Sequence, residues 1–196
     1  MSLILASSSP FRKAILEKLG VAFVTASPDI DETRHDGETP YDLVLRLAAA
    51  KAKKVAKSHS GLIIASDQVA TFGLGTDEAD EILTKPLTHE NAFQQLKRSS
   101  GKEINFLTSI ALLNTETNNL QNHVDFFQVF FKTLSDNQIR SYLEKENVLN
   151  CAGSFKSEGL GVTLFRYTKG DDPNSLIGLP TIKLVDMLAK ENVHIL

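Results

Sequence analysis

The sequence predicts a fold of the α/β or α+β class, and three observations carry that prediction. Short apolar runs of strand length are interspersed with capped segments of helical periodicity along the whole chain. With 196 residues, 42% of them hydrophobic and six prolines, the chain has enough apolar material for a full core, and one globular domain over 1–196 is expected. No internal repeat or low-complexity tract breaks the pattern.

The first strand is expected over 2–6, followed by a helix over 10–19. Ser9 is its N-cap, Pro10 sits at the first helical position where a missing N–H costs nothing, and Gly20 closes it. Phe11, Ile15 and Leu19 recur at four-residue spacing, which leaves Arg12, Lys13, Glu17 and Lys18 to reach water. A strand over 21–25 leads into an irregular acidic link through Asp29, Asp31 and Glu32. Thr39, Pro40 and Asp42 then open a long helix in the manner of a capping box, with an apolar stripe of Leu43, Leu47, Ala50 and Val55. The run from Leu62 to Ala70 reads as a buried strand, and the polar stretch from Gly73 to Glu81 as an exposed loop and lid. Thr88 caps a helix ending before Gly101. Residues 104–113 and 124–131 read as two paired strands, and Ser135 with Gln138 opens a further helix. The remainder is expected as a strand over 159–167, a turn over 170–175 and a last helix over 180–190.

Composition excludes several function classes. A formal net charge of −3 without a basic tract argues against nucleic-acid binding; the lysines 51, 53, 54 and 57 share one helix and read as a solvated face. One cysteine, Cys151, permits no internal disulfide, and five scattered histidines lack zinc-ligand spacing. No apolar run of about 18 residues and no signal-peptide pattern occurs, so the expectation is a cytoplasmic protein without a membrane span.

Against that background a few residues look chemical. At the junction of the first strand and helix, Ser7, Ser9, free backbone N–H groups, the helix dipole and Arg12 converge as a phosphate chain would require. Asp67 interrupts the most apolar strand, where a carboxylate is either a general base or metal ligand, or a cap that ends the strand. Gln68 beside it offers both donor and acceptor. Lys51 lies at the edge of the buried stripe, as a snorkelling lysine or as a placed cation. Lys85 is set by Pro86 in an extended or turn backbone. Glu32 is a solvated acid or the second carboxylate of a divalent-cation site. The block from Cys151 to Gly161, with Lys156 and Glu158, is a glycine-rich turn or a second pocket wall.

Taken in order, Leu3-Ile-Leu-Ala-Ser-x-Ser-Pro-x-Arg12, Asp31-Glu32, Arg46-Leu-Ala-x-x-Lys51-Ala, Ser66-Asp67-Gln68, Lys85-Pro86 and Ala152-Gly to Glu158-Gly resemble the Maf family from Leu3 to about Leu188. The resemblance implies a mixed α/β fold like that of inosine triphosphate pyrophosphatases, with two lobes around a central cleft and a homodimer. It also implies metal-dependent hydrolysis of nucleoside triphosphates to a monophosphate and pyrophosphate, with Mg, Mn or Co as the divalent cation. On this resemblance Asp67 is catalytic and shares the metal with Glu32. Ser7, Ser9, Arg12, Lys51 and Lys85 bind phosphates, and Phe11, Gln68 and Glu158 choose the base. Those last three resemble the family's 7-methyl-GTP branch. An aromatic face suits a cationic N7-methylated guanine, and a carboxylate suits its N1–H and N2–H donors. Pyrimidine triphosphates, or a non-catalytic role in cell division, are the alternatives. Two departures stand out: Thr84 replaces the usual glycine before Lys85-Pro86, and the loop from Gly73 to Glu81 is longer and more acidic than the family's turn.

Overall fold

A computed structural model describes residues 2–72 and 81–196; the expected lid over Gly73 to Glu81 lies outside the described residues except for Glu81 itself. The chain is a mixed α/β fold that divides into two compact units. One comprises residues 1–68, 107–125 and 172–196, the other 69–106 and 126–171. Three strands, β3 (Leu62–Phe72), β5 (Glu103–Asn114) and β6 (Asn119–Phe131), contribute residues to both.

In the first unit β1 (Leu3–Ala6) is the hub. It pairs in parallel with β2 (Val24–Ala26) and with β3, placing Leu3, Ile4 and Leu5 opposite Leu62, Ile63 and Ile64. The strand order is β2-β1-β3-β5-β6. Side chains of a strand alternate between faces, and here both faces are covered, so the strands read as unbroken apolar runs. On one face Leu3, Leu5, Leu62, Ile64, Ile110 and Leu112 pack with Ile15 and Leu16 of α1 (Pro10–Glu17) and with Leu184, Met187 and Leu188 of α6 (Thr181–Lys190). On the other, Ile4, Ala6, Ile63, Ala65, Ala111 and Leu113 pack with Ala48, Ala52 and Val55 of α2 (Pro40–Ala56). This parity decides which way each polar residue of β3 points.

The second unit has the order β4-β3-β5-β6-β7, with β4 (Ile82–Leu83) antiparallel to β3 and β7 (Phe165–Gly170) antiparallel to β6. Phe155 centres its core, packed edge-on against Phe106, Phe131 and Phe165 with ring centroids 4.9–5.6 Å apart. Helices α3 (His89–Ser99) and α4 (Asp136–Lys145) complete it. Ser135 and Gln138 form the expected capping box of α4.

Several expected boundaries move, each for a local reason. Helix α1 ends at Glu17 rather than residue 19; a tighter turn follows, in which Gly20 adopts φ +70° and donates to Glu17 O at 3.1 Å. Pairing of β2 starts only at Val24, because Val21 and Phe23 are taken up against the first core. The expected strand over 159–167 is instead a 3₁₀ turn over 160–164 that leads into β7. The cause is Gly161, whose N–H donates to Lys156 O at 3.0 Å and whose absent Cβ would lie 2.2 Å from that oxygen. The expected turn over 170–175 contains a short helix, α5 (Pro173–Ile177), capped by Asp172. Among the described residues no helix is long and apolar enough to cross a membrane.

Candidate active site

The functional side chains of the first unit gather around the carboxyl end of the parallel β1/β3 pair, where open α/β sheets bind ligands. β1 ends at Ala6, and buried Ser7 follows with its hydroxyl accepting from Ser9 N at 3.1 Å. Ser9 caps α1 by accepting from Arg12 N at 3.4 Å. Both hydroxyls accept locally, which leaves their O–H groups as donors at the positive end of α1.

Arg12 does not reach freely into water, contrary to the expectation from helical periodicity. It is half-buried, and its Nε donates to Gly178 O at 2.9 Å. Burial lowers its pKa from the ordinary arginine value, and the charges of Asp67 and Glu32 oppose that shift. Phe11, its neighbour on α1, is half-buried and absent from the core cluster that takes Ile15, Leu16 and Leu19, so this ring is not a member of that apolar stripe.

Asp67 stands on the face of β3 that carries Ile63 and Ala65, and that face looks onto α2. There Lys51, only 5% exposed, donates to the Asp67 carboxylate and also lies 2.6 Å from Glu32. Lys51 is thus a buried ion-pairing cation and no part of a solvated lysine face. Asp67 N donates to Ser109 Oγ at 3.1 Å, and that hydroxyl lies 2.6 Å from Val44 O on α2, which ties the strand to the helix; β3 runs on to Phe72, so Asp67 does not cap the strand's end. Burial pushes the Asp67 carboxyl above its ordinary pKa, against the pull of Lys51 and Arg12 and with the help of Glu32.

Glu32 comes from the irregular link, and Arg46 of α2 holds that link in place. Its guanidinium bonds Glu38 at 2.5 and 2.8 Å and Thr33 O at 3.0 Å. The sequence pattern contained Arg46 without a role; its spacing of five from Lys51 on one helix was the available signal.

Gln68, next along β3, points to the opposite face with Ile64 and Ser66. Its Nε2 donates to Thr108 Oγ1 at 2.9 Å, Ser175 O at 2.8 Å and Leu176 O at 3.1 Å. Thr108 and Ser175, both fully buried, escaped sequence reasoning because neither belongs to a spaced motif. Lys85 and Glu158 belong to the second unit, and both are exposed. Glu158 lies 3.4 Å from Ser157 Oγ, and buried Pro86 follows Lys85. Cys151 is a free thiol whose pKa burial raises, which makes it a poor nucleophile.

A Maf-like protein family profile matches residues 2–191. The chain belongs to the Maf family. Among its relatives, a 7-methyl-GTP pyrophosphatase of Vibrio cholerae serotype O1 is 51% identical over 194 residues, spanning 99% of this chain and 97% of that protein. One of the same name from Alcanivorax borkumensis is 50% identical over 99% of this chain and 96% of its own length. A Pseudomonas aeruginosa protein, also so named, is 50% identical over 98% of both. Among solved structures, the Staphylococcus aureus Ham1 protein shares this Maf chain's fold, with a TM-score of 0.53 at 13% identity over 98% of this chain and 100% of that one.

Proposed function

We propose that the protein hydrolyses the α–β phosphoanhydride of nucleoside triphosphates, with 7-methyl-GTP as its preferred substrate and 7-methyl-GMP and pyrophosphate as products. The observation that carries this reading is Asp67: a buried carboxylate in the middle of β3, just past the stretch that pairs with β1, held by Lys51 and raised in basicity by its burial. Asp67 orients a water and takes its proton as the oxygen attacks the α-phosphorus. The bridging oxygen then leaves with the β- and γ-phosphates. Ser7, Ser9, the first turn of α1, Arg12, Lys51 and Lys85 neutralise the triphosphate and the charge that grows on leaving pyrophosphate.

Among the described residues no group of three or more His, Cys, Asp and Glu is placed to hold a metal ion. The two carboxylates that meet at Lys51 still fit a magnesium-type ion, which takes one or two carboxylates and completes its shell with water and substrate phosphates. Asp67 and Glu32 would hold such an ion, Mg, Mn or Co, and bound there it would supply charge neutralisation at the α-phosphate. Phe11 stacks on the cationic base, Gln68 and Glu158 meet its polar edge, and the enzyme acts in the cytoplasm, as a homodimer, to remove modified nucleotides.

The deciding experiment is pyrophosphate release from 7-methyl-GTP, GTP, dTTP and UTP with each metal, alongside Asp67→Asn. Preferential 7-methyl-GTP turnover that vanishes in Asp67→Asn is expected. A preference for dTTP or UTP would overturn the base assignment and leave the hydrolytic mechanism standing. An absence of turnover with every nucleotide would favour a binding role in cell division.

A further inference from the structure

Helix α5 ends at Ile177, and the last carbonyls of a helix have no donor of their own. Here side chains from three other elements supply them. Ser175 O accepts from Thr108 Oγ1 and from Gln68 Nε2, each at 2.8 Å, and Leu176 O accepts from Gln68 Nε2 at 3.1 Å. Gly178 O, one residue past the helix, accepts from Arg12 Nε at 2.9 Å and from Ser66 Oγ at 2.8 Å.

The arrangement has one orientation. Thr108 has committed its only proton to Ser175 O, so toward Gln68 it is an acceptor. Gln68 Nε2 therefore faces three acceptors, and rotating the amide would set its carbonyl oxygen against three other oxygens. Oε1 is directed away from them and takes no donor among the described residues. The frame is itself anchored, because the fully buried Ser175 donates its hydroxyl to Asp125 Oδ2.

We propose that Thr108 and the terminal carbonyls of α5 are positioning groups that hold Gln68 as a hydrogen-bond acceptor toward the nucleobase, so that this position selects bases presenting an N–H donor. The inference rests on the reading of Gln68 as a base-contacting residue. For 7-methylguanine the donors are N1–H and the N2 amine, and an analogue without them leaves Oε1 unpaired, which a built polar site rejects.

The test compares kcat/KM for 7-methyl-GTP with that for 7-methylpurine riboside triphosphate, which lacks both donors, in the parent, Thr108→Val, Thr108→Ser and Gln68→Met. Loss of one buried positioning bond in Thr108→Val is expected to lower the preference for 7-methyl-GTP about tenfold, mainly through KM, while Thr108→Ser keeps it within about twofold. A lowered preference in Gln68→Met with none in Thr108→Val, or equal loss in both Thr108 variants, overturns the positioning role and spares the reading of Gln68. No change in Gln68→Met overturns that reading itself. A second measurement, on the parent protein, does not depend on the variants folding. The Gln68 side-chain NH₂ protons, assigned by their absence in Gln68→Met, are expected to stay protected from solvent exchange before and after 7-methyl-GMP is added. Loss of protection on binding would mean that the contacts to Thr108 and α5 do not hold the amide, and the proposal would fail.

Discussion

Lys51 carries the electrostatics of the first unit, since one buried ammonium answers both Asp67 and Glu32. Replacing it with methionine leaves the Asp67 carboxylate buried and uncompensated. A loss of about 3–5 kcal/mol in unfolding free energy is expected from breaking such a pair. If Lys51 faces the reacting phosphate as proposed, kcat/KM should fall with it by at least about 100-fold. Denaturant unfolding and steady-state kinetics on Lys51→Met check both; an unperturbed unfolding curve would mean that the ion pair contributes nothing. Phe11 is a narrower case. If its ring stacks on a cationic base, Phe11→Leu keeps the apolar bulk and loses roughly 0.5–2 kcal/mol of attraction. Discrimination between 7-methyl-GTP and GTP should then fall while GTP turnover is nearly unchanged. Equal loss with both nucleotides would place the ring's role elsewhere.

At the scale of elements, α2 does more than cover the sheet. Lys51 reaches inward from it to β3, and Arg46 reaches outward to the link that carries Glu32. If Glu32 holds a metal ion as proposed, Arg46→Gln, which removes the support of its link, should raise the metal concentration giving half-maximal activity several-fold at nearly constant kcat; a metal titration of the rate checks this. The same pair makes a pH prediction. Hydrogen bonds from Arg46 hold the Glu38 pKa at about 2, below the ordinary 4.5. Between those values the folded state binds fewer protons than the unfolded chain, so stability rises with pH across the window. The contribution is complete above pH 4.5 and is lost as pH falls toward 2. Urea midpoints of the parent and of Arg46→Gln should therefore differ most above pH 4.5 and converge near pH 2. A constant gap would show that the pair does not titrate as described.

Across the whole molecule each unit has its own core, and those cores can be probed separately. Ile63 and Ile64 are fully buried neighbours on opposite faces of β3, one against α2 and the other against α1 and α6. Each Ile→Ala change is expected to cost about 2–5 kcal/mol, and Phe155→Ala in the second unit about 3–5 kcal/mol. Calorimetry or urea unfolding measures all three. A cost well below these ranges would mean that the face in question is not closely packed.

The apolar runs of β1 and β3, the caps at Ser9, Thr39, Thr88 and Ser135 and the family motifs were legible in the sequence, because each depends on residues a few positions apart. The chemistry of Lys51 was only half legible. Four-residue spacing put it on the buried stripe, while the partners that make it an ion-pairing cation stand 16 and 19 residues away in sequence. Tertiary structure alone decided that Arg12 turns back to Gly178 and that Gln68 is oriented by Thr108 and α5, whereas the turn over 160–164 is a local matter of Gly161 and Lys156. The physical reason is common to Arg12 and Gln68: a hydrogen-bonding group takes the partner that folding brings to it, and partners 40, 107 and 166 residues distant leave no period or spacing to read. Strand parity is the bridge between the two levels. It follows from the sequence alone that Asp67 and Gln68 point to opposite faces, and only the packed helices decide what each face meets.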